Sequence, residues 1–343
     1  MIEIKEKRKI YVYCLASVVT GGCELIHQLV DFLNNHGCSA YVVYVGDGLH
    51  DIPNAYSKYN IKVSETVDDS EDSIVVCGEG FLYLASQLKK SQIILWWLSV
   101  DNAYNDGVQL PYMSLSDVLK WNLRTVLRCI KLRLKNKIFS SIFSLEQIKK
   151  LNAINGYQSE YAKLYLESLG FDKLVPLKDY INTTYYKAET INCGKRMPNV
   201  LYNPKKGIEF TRRIIDMAPE IEWVPLQGMD REQLLNTFQT SMLYIDFGNH
   251  PGKDRLPREA ALNGCCIITG RRGAAKNDID INIPSAYKFD EKTSSKEEIV
   301  NRIRFVLDNY DICKKDFYHY KELILSEKEE FENQIIALFN LSK

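Results

Sequence analysis

Apolar strands alternating with amphipathic helices run from Ile10 to Leu98, stop, and begin again at Met197. Short apolar runs separated by helical periodicity predict parallel strands joined by crossover helices, since parallel neighbours need a long connection. In the first stretch the expected strands are Ile10–Ala16, Ala40–Val45, Ser73–Cys77 and Gln92–Leu98. A tight turn at Thr20-Gly21-Gly22 leads into a helix over Glu24–Asn35, with Leu25, Ile26, Leu29, Val30 and Leu33 on its apolar side. In the second stretch, strands are expected at Met197–Tyr202, Ile221–Leu226, Met242–Asp246 and Cys265–Thr269, with helices at Gly207–Ala218 and Arg231–Thr240. The fold class is therefore α/β, with two Rossmann-like, doubly wound halves; 343 residues suit two domains better than one. A polar, turn-rich joint lies near Tyr180–Lys195, and the tail from Ser295 reads as two or three charged amphipathic helices.

Composition narrows the function classes. Lys+Arg and Asp+Glu are equal at 44 each, which argues against a dedicated nucleic-acid binder. Nine cysteines lie scattered without paired metal-type spacing, several inside apolar strands, as buried thiols of a reducing cytoplasm would. The charged N-terminus does not read as a signal peptide, and no apolar run approaches 20 residues, so a cytoplasmic protein without a membrane span is expected.

The richest segment chemically is Tyr244-Ile-Asp-Phe-Gly-Asn-His-Pro-Gly-Lys-Asp-Arg-Leu-Pro-Arg-Glu259. A strand ends at Asp246, and a polar loop presents His250, Gly252, Lys253, Asp254 and Arg255. A helix opens near Pro257 with Glu259 in its first turn. Cations, backbone amides and one carboxylate thus gather at the carboxyl end of a parallel sheet, where phosphorylated ligands bind and a carboxylate suits ribose hydroxyls. Lys205 and Lys206 follow the Met197–Tyr202 strand, and Arg271 and Arg272 follow Cys265–Thr269, so both pairs are further phosphate-site candidates. Arg258 is expected to face solvent.

Residues 116–137 form a basic amphipathic helix in which Lys120, Arg124, Arg128, Lys131, Arg133, Lys135 and Lys137 flank a Leu-rich stripe with Trp121 nearby. One reading is peripheral contact with an anionic membrane surface; the other is a helix packed on its own domain with a solvated basic face.

Four stretches, in order, resemble the GT-B glycosyltransferases, and most of all the large retaining group that makes bacterial surface polysaccharides. Thr20-Gly-Gly-Cys-Glu24 resembles the glycine turn of the acceptor domain. Asn152 through Asn182 resembles the interdomain stretch. Val200-Leu-Tyr-Asn-Pro-Lys-Lys-Gly-Ile-Glu209 resembles the opening of the donor domain, and the segment ending at Glu259 resembles the donor-binding signature. The resemblance implies two domains facing a cleft. Residues 1–182, with a C-terminal helix at 320–343 crossing back, would bind the acceptor; residues 183–319 would bind the nucleotide-sugar. It also implies transfer from a nucleotide-sugar to a glycan or lipid-linked acceptor, in capsule or O-antigen synthesis at the inner face of the membrane. Catalysis is expected to need no metal or other cofactor, because no paired acidic metal motif is evident and the cations sit on side chains. In the family two glutamates bracket seven residues; here Glu259 takes the second place and the first falls on Pro251. Asp246, His250 and Asp254 are the substitutes within reach of that position.

On the acceptor side Asp101 and Glu79, each just past a strand, are the catalytic candidates. An inverting enzyme would use such a carboxylate as general base; a retaining one would use it to orient substrate. Gly21 and Gly22 allow close backbone approach to a ligand. His27 and His36 on the first helix are expected at the surface or in packing. A dehydrogenase is disfavoured because Thr-Gly-Gly lacks the dinucleotide-fingerprint spacing. A nucleotide-sugar epimerase of the same fold and a non-catalytic nucleotide-sugar binder stay open.

Overall fold

The computed structural model describes residues 8–46, 48, 51–101, 145–190 and 196–341, so the basic helix expected at 116–137 lies outside the described residues. The chain forms two compact units. The first holds residues 1–158, 162–177 and 332–343; the second holds 159–161 and 178–331.

The first unit is built on a six-stranded parallel sheet in the order β2-β1-β3-β4-β5-β6. Its strands are β1 Lys9–Leu15, β2 Ser39–Val45, β3 Ser73–Gly78, β4 Gln92–Trp97, β5 Ile154–Tyr157 and β6 Leu174–Pro176. β1, β3 and β4 are continuous buried runs, as strands covered on both faces must be. β5 was not foreseen, because Ile-Asn-Gly-Tyr carries two residues poor in strand propensity. Its Asn155 is nevertheless used: its side-chain oxygen accepts from Trp97 Nε1 at 3.0 Å inside the core. Trp96 Nε1 donates to the Leu177 carbonyl at 2.7 Å, so both indoles of β4 have satisfied N–H groups.

The helix after β1 starts earlier than its apolar pattern suggests, running over Gly21–Asn35. Thr20 is the reason: its hydroxyl accepts from Cys23 N at 3.3 Å and caps the first turn, drawing both glycines into the helix. Behind that cap lies a buried polar cluster. Tyr56 Oη lies 3.0 Å from both the amide and the carbonyl of Thr20, and its ring stacks on His27 at 4.2 Å. His27 is wholly buried and therefore serves packing. Burial lowers its pKa. Its Nδ1 lies 2.6 Å from the Cys23 carbonyl, which only accepts, so Nδ1 carries the proton and Nε2 accepts from Tyr44 Oη at 2.8 Å.

The second unit holds a five-stranded parallel sheet in the order β11-β10-β9-β7-β8. These strands are β7 Met197–Tyr202, β8 Glu222–Pro225, β9 Ser241–Asp246, β10 Cys266–Gly270 and the two-residue β11 Lys288–Phe289. Helices Ile208–Met217, Arg231–Thr240, Arg255–Leu262 and Lys296–Asp308 connect or cover them. Arg231–Thr240 begins with a full capping box, in which Asp230 and Gln233 each satisfy the other's backbone amide. A 22-residue helix, Tyr318–Phe339, ends the chain. Among the described residues no helix is long and apolar enough to cross a membrane.

Tyr56→Phe should destabilise the first unit by about 0.5–1.5 kcal/mol, because the part-buried Thr20 amide loses its hydroxyl partner while the Thr20 carbonyl keeps only its bond from Glu24 N. Urea denaturation measures this; an unchanged midpoint would show that the clamp contributes nothing.

Candidate functional site

Doubly wound sheets bind ligands outside the carboxyl ends of their strands, where the strand order reverses. In the second sheet the reversal falls between β7 and β9. The β7 loop is Asn203-Pro-Lys-Lys-Gly207 and the β9 loop runs from Phe247 to Asp254, so the two lysines and the predicted signature share one sheet edge.

Backbone approach holds this edge together. Gly207 sits in the left-handed region at φ +61°, and a Cβ there would collide with the Phe247 carbonyl. Gly273, after β10, has φ +57°, and its Cβ would collide with the His250 carbonyl. That same carbonyl accepts from Ala274 N at 2.8 Å. Loops after three strands are thereby locked backbone against backbone, which only glycine permits at these positions.

Asp246 ends β9 with both oxygens in use. Oδ2 accepts from Tyr244 Oη at 2.8 Å, and Oδ1 accepts from Gly248 N at 2.8 Å. Burial, followed by the nearby Asp246 charge, holds the Tyr244 phenol well above its usual range, so it stays a donor. His250 is fully buried: Nδ1 lies 3.3 Å from Asp254 Oδ2 and Nε2 lies 3.7 Å from Asp246 Oδ1. Neither ring nitrogen meets hydrogen-bond geometry. Asp246, His250 and Asp254 bring one ligand atom each within 4.8 Å of one another, a spacing that can hold a metal ion. Lys206 Nζ, however, already lies 2.6 Å from Asp254 Oδ2 and supplies positive charge there.

Arg258 departs most from expectation. It is not at the surface; it is 0% exposed and anchors the loop from below. Its Nη1 donates to Glu327 Oε2 at 2.7 Å, and its Nη2 donates to Asp179 Oδ2 and to the Lys253 carbonyl, each at 2.7 Å. Its Nε reaches the Asp254 carbonyl at 3.2 Å. The other oxygen of Glu327, Oε1, lies 2.6 Å from Lys253 Nζ. Burial alone would raise the Asp179 pKa, but the charge and hydrogen bond of Arg258 outweigh it and leave the carboxyl below its usual range. The sequence concealed this group: Glu327 stands in Ser326-Glu-Lys-Glu-Glu330, a run that reads as a solvated face, and Asp179 stands in the polar Asn152–Asn182 stretch, just before the expected linker.

The remaining predicted residues are placed as follows. The helix opens at Arg255, two residues before Pro257, so Glu259 lies in its second turn and is buried. Gly252 is buried and Arg255 half-buried; Lys205 is exposed and its amide donates to Asn203 Oδ1 at 3.0 Å. Arg271 follows β10 and its Nε lies 3.3 Å from the Lys288 carbonyl; Arg272 is exposed, with Nη1 3.5 Å from Glu291.

In the first unit the strand order reverses between β1 and β3. Gly21 and Gly22 follow β1, and Glu79 follows β3, at that same edge. Glu79 Oε2 accepts from Leu98 N at 3.1 Å, tying the ends of β3 and β4. Asp101 is half-buried beyond β4.

Two expected outcomes test this construction. Arg258→Met leaves Asp179 and Glu327 as buried carboxylates without their shared counter-ion and should cost about 3–5 kcal/mol. Gly273→Ala should cost about 1–3 kcal/mol through backbone strain at a left-handed position. Chemical denaturation reads both, and losses under about 0.5 kcal/mol, the ordinary surface range, would contradict the geometry.

No protein-family model and no curated protein matches the chain. Solved structures do. HepE of Anabaena, crystallised with UDP and glucose, is 10% identical at a TM-score of 0.60, covering 96% of this chain and 99% of its own. Sucrose-phosphate synthase from Thermosynechococcus elongatus is 13% identical at 0.59, covering 97% and 98%. TarM of S. aureus is 12% identical at 0.52; 80% of this chain aligns, spanning 56% of TarM. These neighbours are glycosyltransferases of the GT-B class, and the two parallel α/β sheets give this chain the GT-B fold.

Proposed function

We propose that this protein is a glycosyltransferase that moves a sugar from a nucleotide-sugar to a glycan or lipid-linked acceptor, in the synthesis of a bacterial surface polysaccharide. One observation carries the reading. Lys206, Lys253 and Arg255, with buried Glu259 on the following helix, come together where the second sheet reverses its strand order. Structural neighbours crystallised with UDP, with UDP-glucose, and with ADP and acarbose support a nucleotide-sugar as the donor.

The chemistry follows from charge. As the glycosidic bond to phosphate breaks, negative charge grows on the departing diphosphate, and fixed cations that are already in place lower the barrier. Lys206, Lys253 and Arg255 would take this part, with Lys205 and Arg271 at its margin, so that side chains rather than a metal supply the charge. Glu259 would hold the ribose hydroxyls. On the first unit, Asp101 or Glu79 would deprotonate or orient the acceptor hydroxyl, beside the backbone of Gly21 and Gly22. The basic segment 116–137 would hold the protein at the inner membrane face near a lipid-linked acceptor.

A panel of nucleotide-sugars, followed by nucleoside diphosphate release with and without acceptor glycans, tests this. Acceptor-dependent release is expected, and Lys253→Ala or Glu259→Ala should cut it at least about 100-fold, the scale of losing one preorganised charge partner. Conversion of the sugar without any acceptor would instead identify an epimerase. A thermal shift without turnover would identify a binder. Full activity in both variants would sink the site.

A further inference from the structure

Both lysines of the candidate phosphate site already carry an internal carboxylate. Lys206 holds Asp254 at 2.6 Å, and Lys253 holds Glu327 at 2.6 Å. The two pairs differ in what lies behind them. Asp254 is partly exposed, whereas Glu327 is 3% exposed and its second oxygen belongs to Arg258.

We propose that Glu327 is a built-in competitor of the donor diphosphate for Lys253, and that Arg258 is the positioning residue that lets Lys253 be surrendered. This deepens the reading of the site as a phosphate site and rests on it. A buried carboxylate that loses its sole counter-ion suffers a heavy desolvation penalty. Glu327 is spared that penalty, because Arg258 Nη1 remains on Oε2 at 2.7 Å when Lys253 leaves Oε1. Arg258 is itself neutralised from the other side by Asp179 at 2.7 Å. Lys253 can therefore turn to a phosphate while the carboxylate beneath stays paired. Arg258 also fixes where the turn begins, since Nη2 grips the Lys253 carbonyl at 2.7 Å and Nε reaches that of Asp254 at 3.2 Å. Lysine in place of Arg258 lacks the fork needed to reach two carboxylates and two carbonyls at once. The outcome is a cation held at a set position but with its affinity for phosphate reduced by Glu327.

Titration calorimetry with UDP and with inorganic pyrophosphate tests this on the whole chain. Glu327→Gln removes the competing charge and should tighten both ligands about threefold or more, with Glu330→Gln, one turn further along the same helix, unchanged. Arg258→Lys should weaken them about tenfold, because Glu327 then draws its neutralisation from Lys253; adding Glu327→Gln should return the affinity to within about twofold of wild type. A purely structural Arg258 would lower the melting temperature without this rescue. Unchanged or weaker binding in Glu327→Gln overturns the proposal, as does a double variant that stays weak. Should Arg258→Lys fail to fold, Glu327→Gln against Glu330→Gln decides alone. Lys253→Ala separates the two levels: if it binds like wild type, the phosphate site itself is wrong; if it weakens binding while Glu327→Gln does not tighten it, only the competitor is wrong.

Discussion

A guanidinium with no access to water organises the second unit. Arg258 gathers Asp179, Glu327 and two adjacent loop carbonyls within 3.2 Å, drawing together three separate parts of the chain. Such buried ion pairs contribute little net stability, since desolvation cancels most of the attraction. What they impose is geometry, because every alternative arrangement leaves a charge unpaired in a low dielectric. The loop from His250 to Asp254 is long, polar and glycine-containing, and left to itself would wander. Its last two carbonyls are fixed by Arg258, and the His250 carbonyl by Ala274.

The upper side of the loop is set by sterics instead. Gly207 and Gly273 admit neighbouring backbone where no side chain fits. The β7, β9 and β10 loops therefore behave as one rigid rim, with Asp246 clamped by Tyr244 and Gly248 at its centre. Preorganisation of this kind lets a few cations act strongly, because they need no rearrangement of the scaffold when a ligand's charge changes.

Periodicity made most of the architecture legible. β7 and the Arg231–Thr240 helix fall where their apolar patterns put them. β5 and β11 did not show, because one carries Asn and Gly and the other has two residues; both exist through pairing with a long neighbour. At the candidate site, Lys205, Lys206, Lys253 and Arg255 are legible as charged residues just past strands, whereas the packing role of Gly207 and Gly273 shows only in three dimensions. Arg258, Asp179 and Glu327 were not. A charged residue in a polar stretch reads as solvated, and only its three-dimensional partners reveal it as buried. Spacing cannot disclose partners 69 and 79 positions away.

The absent glutamate at Pro251 can be weighed against the same geometry. Asp246 is the nearest carboxylate at the strand end, yet both its oxygens are committed to Tyr244 and Gly248, so a sugar hydroxyl would have to displace an internal bond. Asp254 holds Lys206, whose departure toward phosphate would release a carboxylate oxygen beside the rim. His250 keeps hydrogen-bond capacity on both nitrogens but has no exposed surface. Of the three, Asp254 alone combines partial exposure with a partner that ligand binding would itself remove. On the proposed reading, phosphate capture by Lys206 and presentation of a carboxylate to the sugar would be one linked event, which separate residues at the two glutamate positions of the GT-B signature would not require.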